Sequence, residues 1–99
     1  MLLRLSPCVP SDLEEIVDYI AQDSPRHAAR VLRMLRARMK EIAKQPHIYR
    51  LRPEIGVDAR LTTVGNYVIL FLIRQNAVRI ERVVHGSRDL LSILEEPES

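Results

Sequence analysis

Cleavage of RNA through its 2′-hydroxyl needs a base for that hydroxyl, an acid for the leaving oxygen and cations for the charge building on the phosphate. This chain offers one set of suitable side chains: His85, Arg60, Arg88 and Tyr67. Histidine titrates near neutrality and is the natural proton carrier among them. Two other roles compete for His85. In one it forms a turn, its imidazole bonding backbone and Gly86 taking a positive φ; in the other it touches a partner directly. The turn is the expected role, with catalysis the least favoured of the three. His27 and His47 have no second ligand type at usable spacing, and Cys8 is the sole cysteine, so neither a zinc site nor an internal disulfide is expected. No cofactor is implied, and a lone thiol suits a reducing, cytoplasmic setting.

Arg82 shares its alternation with Ile80 and Val84, so it is expected to face inward, unless a bulge shifts the register, and to need a carboxylate there. Arg88 and Asp89 are expected to tie the chain's end to the sheet. Charge is unevenly spread: the whole chain carries only +2, yet between residues 26 and 44 seven basic side chains stand against Glu41 alone, a local +6. Such a segment suits an acidic partner, either protein or nucleic acid, or a solvated helix face.

These residues need elements to hold them. A length of 99 residues and a hydrophobic fraction of 46% fit one globular domain, residues 1–99, with no linker. Leu2, Leu3 and Leu5 suggest a short first strand, ended by Pro7 and Pro10. Leu13, Ile16, Val17 and Ile20 recur at helical spacing, and the helix starts either at Ser6-Pro7 or, delayed by Pro10, near Ser11. Ser24-Pro25 then caps a second helix whose stripe of Ala28, Val31, Leu32, Leu35, Met39 and Ile42 runs until Pro46. Tyr19 and Met34 are expected to pack against the hairpin. An irregular stretch over 45–57 precedes three β-patterned runs, broken at Gly65-Asn66 and Gln75-Asn76. The expected fold is α+β: an antiparallel helix hairpin on a small, mainly antiparallel sheet, in the order β-α-α-β-β-β, with a short C-terminal helix at Leu90, Leu91, Ile93 and Leu94. The run Tyr67-Val68-Ile69-Leu70-Phe71-Leu72-Ile73 is far shorter than the roughly 20 residues of a membrane helix. The first seven residues lack the basic start and long apolar run of a secretory signal.

That run is apolar on both faces, and the hairpin covers only one. Val68, Leu70 and Leu72 should therefore lie on a face that needs cover, from a partner's segment or, as the competing explanation, from self-association.

The order of elements, together with three strings, resembles the RelE/ParE superfamily of bacterial toxins. The strings are Asp12-Leu13-Glu14-Glu15-Ile16 with Asp18-Tyr19-Ile20, Val64-Gly65-Asn66-Tyr67, and Arg82-Val83-Val84-His85-Gly86-Ser87-Arg88-Asp89-Leu90. The last is similar to the ending of the ParE branch. The resemblance implies a toxin that binds and poisons DNA gyrase and is neutralised by a cognate antitoxin. It also implies a hetero-oligomeric complex, with no membrane association, that binds operator DNA through the antitoxin. The ribonuclease branch, by resemblance, carries lysines before the central strand, arginines after its first tyrosine and after the last strand, and a late tyrosine. Here Val68 follows Tyr67, no lysine lies beyond Lys44 and no tyrosine follows Tyr67. A binding inhibitor, not an enzyme, is thus the expectation, with ribosome-dependent mRNA cleavage the alternative. Under this reading the target contacts are Arg79, His85, Arg88, Leu90 and Leu91, and the antitoxin contacts are Arg33, Arg60, Val68, Leu70 and Leu72.

Overall fold

A computed structural model describes residues 1–86. The elements are β1 (Leu2–Leu5), α1 (Cys8–Ala21), α2 (Pro25–Lys44), a 3-10 turn at Pro46–Ile48, β2 (Arg60–Val64), β3 (Tyr67–Arg74) and β4 (Ala77–His85). This is the expected order; the expected C-terminal helix lies outside the described residues.

The helices begin where their caps dictate. Ser24 accepts a 3.1 Å hydrogen bond from the His27 amide, and Pro25 sits at the first position, where its missing N–H removes no intrahelical bond. α1 starts at Cys8, earlier than a delay by Pro10 would allow. Pro10 falls in the first turn, whose amides have no carbonyl four residues back, so the ring costs nothing there. Ser6 takes over the capping: its Oγ accepts from the Cys8 amide and its carbonyl from the Val9 amide. The early start brings Val9 into the core, fully buried beside Leu13.

The hairpin lies on a four-stranded sheet of order β1-β4-β3-β2. β2, β3 and β4 form an antiparallel meander, and β1 adds to β4 in parallel. Ile69 and Phe71 of β3, Val78, Ile80 and Val83 of β4, and Val31, Leu35, Met39 and Ile42 of α2 make the core. On β2, an edge strand, Thr62 Oγ1 and the Thr63 carbonyl each accept from Arg38 of α2, at 2.9 and 3.0 Å. A charged side chain laid on an edge strand blocks further pairing there.

β4 carries a bulge. Leu70 pairs with Arg82 and Phe71 with Ile80, which leaves Glu81 as the extra residue. The register therefore shifts: Ile80 and Val83 face the helices, and Arg82 and Val84 do not. Arg82 is thus not inward with Ile80 and Val84, although its need for a carboxylate is met, by Asp12. Gly86 does not take a positive φ, and His85 belongs to β4 opposite Tyr67 rather than to a turn. A Cβ at Gly86 would come within 3.1 Å of Val68 Cγ2, so what glycine supplies there is room. Tyr19 and Met34 are 57% and 45% exposed, not packed into the hairpin.

Candidate functional site

The sheet face away from the helices is built by alternation. Since Ile69 and Phe71 point into the core, Val68, Leu70 and Leu72 point out, with Arg79 beside Leu72 on β4. That face is less open than β-strand alternation alone implies. Val68 and Val84 are buried, while Leu70 and Leu72 are half-buried. Part of the cover comes from the segment after the helices. Arg52 and Ala59 close it with a 2.7 Å backbone hydrogen bond, Leu51 bridges Arg60, and Asp58 pairs with Arg74 at 3.6 Å. Arg52 also holds Glu54, and this hydrogen bond keeps the Glu54 carboxyl below its ordinary pKa.

Between this segment, the start of α1 and the sheet lies an open groove of about 430 Å³. Leu70, Leu72 and Ile55 give it an apolar floor and wall; Arg79, Glu81 and Arg82 supply charge along one side, and Cys8 sits at its rim. Arg79 and Glu81 pair at 2.8 Å, with the arginine half exposed. The groove can hold an apolar side chain or two beside a hydrogen-bonding strip, which is the chemistry of a peptide contact.

A polar lock positions that strip. Ser6 and Asp12 are 3% and 6% exposed and are the buried polar residues among those described. Ser6 Oγ donates to the Glu81 carbonyl at 2.6 Å, satisfying the bulge, and the Ser6 amide donates to the Ile80 carbonyl. Asp12 accepts from Arg82 at 2.9 and 3.1 Å and from the Val83 amide at 2.9 Å. The sequence suggests a helix start at Ser6-Pro7, but it does not indicate the bond from Ser6 to Glu81 or the burial of Asp12. The one signal in the sequence was the expected need of Arg82 for a carboxylate; which acid supplies it depends on the fold.

The assigned residues fall into separate groups. Tyr67 and His85 meet edge to face, their ring centroids 5.6 Å apart, at one end of the β3–β4 ladder. Arg60 pairs with Phe71, four residues further along β3, and its guanidinium donates to the Tyr49 carbonyl. At about 3.3 Å per residue that is roughly 13 Å from Tyr67. The acid–base and phosphate-binding groups considered for RNA cleavage are therefore not gathered among the described residues. Arg33 is exposed on α2, in the layer across the sheet from Leu70 and Leu72. Arg88, Leu90 and Leu91 lie outside the described residues. Within the described residues no three His, Cys, Asp or Glu side chains cluster as metal ligands, and no helix is long and apolar enough to cross a membrane.

Comparison with known proteins gives the family. No curated protein sequence shows a significant match. Among solved structures, a chain from the chromosomal ParDE toxin–antitoxin system of P. aeruginosa has a TM-score of 0.75 at 19% identity, covering 86% of this chain and 95% of that one. At that identity the likeness establishes the fold. The model of the ParE toxin of type II toxin–antitoxin systems (parDE) matches residues 3–90, nearly the whole chain, and the protein therefore belongs to the ParE toxin family.

Proposed function

We propose that this ParE-family toxin acts by binding DNA gyrase, with no chemical step of its own, and that a cognate antitoxin neutralises it by laying a segment across the outer sheet face. The observation that carries the reading is the groove: half-buried Leu70 and Leu72 beside Arg79, on a strand that leads directly to His85 and the C-terminal residues. An apolar floor rimmed by fixed charge suits protein contact, where burial gives affinity and the charges give register. The separation of Arg60 from the Tyr67–His85 pair supports binding over catalysis. Toxin and antitoxin would form a cytoplasmic hetero-oligomer that reaches operator DNA through the antitoxin.

The test is a supercoiling and plasmid-cleavage assay with purified gyrase. The full chain should inhibit supercoiling and trap cleaved plasmid. Arg79→Ala, His85→Ala and removal of residues 90–99 should each raise the half-inhibitory concentration by about tenfold, roughly 1.4 kcal/mol, while antitoxin binding persists. Transcripts cut in a purified translation reaction, with gyrase untouched, would establish the ribonuclease reading instead.

A further inference from the structure

The two helices have opposite charge. α1 carries Asp12, Glu14, Glu15 and Asp18 with no base, whereas α2 carries the seven cations and Glu41. At 100° per residue Arg26, Arg30, Arg33, Lys40 and Lys44 fall on one stripe opposite the buried Val31, Leu35 and Ile42, and all five are exposed. None of the five takes part in an ion pair among the described residues; Arg38, on the flank, pairs with Glu41 and β2 instead. Like charges three and four residues apart destabilise a helix, and a merely solvated face has no need to keep its acids on the neighbouring element.

We propose that this stripe is a docking surface for the phosphate backbone of duplex DNA. It spans about 27 Å, over which one strand of a B-form duplex carries about eight phosphates. The stripe runs the length of one helix, its only short side chain is Ala37, and it has no aromatic ring on which an unpaired base could stack. An acidic protein segment would find little apolar surface there beyond Met34 at the flank. A polyanion read through charge alone needs none. Because α2 lies across the sheet from the groove, a protein in the groove and DNA on α2 would not compete. The inference does not rest on gyrase: a chain inert toward gyrase would retain it.

Fluorescence anisotropy tests it, using the purified full chain without antitoxin, which would bring DNA binding of its own, and a labelled 20-base-pair duplex of mixed sequence. Binding should be sequence-independent and should weaken with salt, with a log–log slope of about −4.5 for five phosphate contacts. Arg26→Gln/Arg30→Gln/Lys40→Gln should cut the slope to about −2 and the affinity at least about tenfold, with an unchanged circular dichroism spectrum. The charge-matched control Arg4→Gln/Arg50→Gln/Arg74→Gln should keep the parent slope. Absence of binding in 50 mM salt, an equal loss in the control, tighter binding of a duplex RNA of the same length, or equally effective displacement by polyglutamate would each overturn the proposal.

Discussion

β4 is held in two different ways along its length. Over residues 77–80 it has a strand on each side, β1 from Leu2 to Leu5 and β3 from Phe71 to Arg74, and its side chains Val78 and Ile80 fill the core. From Glu81 onward β1 is gone, because the chain has turned into α1, and only β3 remains alongside. The missing partner is replaced by side chains: Ser6 takes the Glu81 carbonyl, and Asp12 takes the Val83 amide together with Arg82. One half is thus secured by ladder and burial, the other by two buried polar groups from the helix start. A few side chains can stand in for a strand, but each then matters far more than any one ladder bond. The half held this way carries Glu81 and Arg82, which line the groove, and ends at His85.

The comparison breaks most directly at Asp12. Asp12→Ala should cost about 2–4 kcal/mol, since it takes a buried carboxylate from the Arg82 guanidinium and leaves the buried Val83 amide without its acceptor. Arg82 is partly exposed and can recover some hydration, which keeps the expected loss below the extreme for a buried pair. Urea unfolding would measure it. Asp12→Asn, which retains an acceptor for the Val83 amide, should lose about half as much. Equal losses for the two variants would mean that the charge alone holds the strand.

Ser6→Ala comes next, at about 1–2 kcal/mol, from the unsatisfied Glu81 carbonyl and the lost cap on α1. Hydrogen exchange sharpens the contrast. The Val83 amide should lose protection while Val78, flanked by two strands, keeps it. Equal loss of protection at both would show β4 to open as one unit, not as two halves.

Gly86→Ala follows, at about 1 kcal/mol, because the new methyl meets Val68 at 3.1 Å. Val68→Ala in the same chain should relieve that contact, so the double variant should be more stable than the sum of the single losses predicts. Additive losses would place the strain elsewhere.

Much of this was legible in the sequence, and the residues that were not share a cause. The helix pair and the meander follow from Leu13, Ile16 and Ile20, from Val31, Leu35 and Ile42, and from the punctuation at Ser24-Pro25, Gly65-Asn66 and Gln75-Asn76, all local signals of period and turn chemistry. Ser6, Asp12 and Glu81 are different. Their partners lie about seventy residues away or on the other side of a bulge, and a bulge has no local pattern in a run of apolar and charged residues such as Ile80-Glu81-Arg82-Val83. The cover over Leu70 and Leu72 was missed for a related reason: the segment over 49–59 looks irregular in sequence, yet its Arg52–Ala59 and Asp58–Arg74 contacts fold it back. Alternation says which face of a strand a residue is on. It does not say what a distant loop lays over that face.

The smallest effect lies at the other end of β4, where the β3–β4 turn has both central residues at positive φ, Gln75 at 52° and Asn76 at 60°. That is the backbone of a tight hairpin whose twist matches its strands, and it favours Asn followed by Gly; glutamine has no side-chain means of easing the left-handed region and bears its steric cost in full. Gln75→Asn/Asn76→Gly should therefore stabilise the protein by about 0.5–1 kcal/mol, raising the thermal midpoint by roughly 2–8 °C. Because this hairpin joins the half of β4 already flanked by two strands, the gain should leave exchange at the Val83 amide, relative to the global unfolding limit, no slower than in the parent chain. A Val83 amide that slowed in step with the added stability would mean that it exchanges only through global unfolding, and that Ser6 and Asp12 close the open edge as firmly as β1 closes the rest.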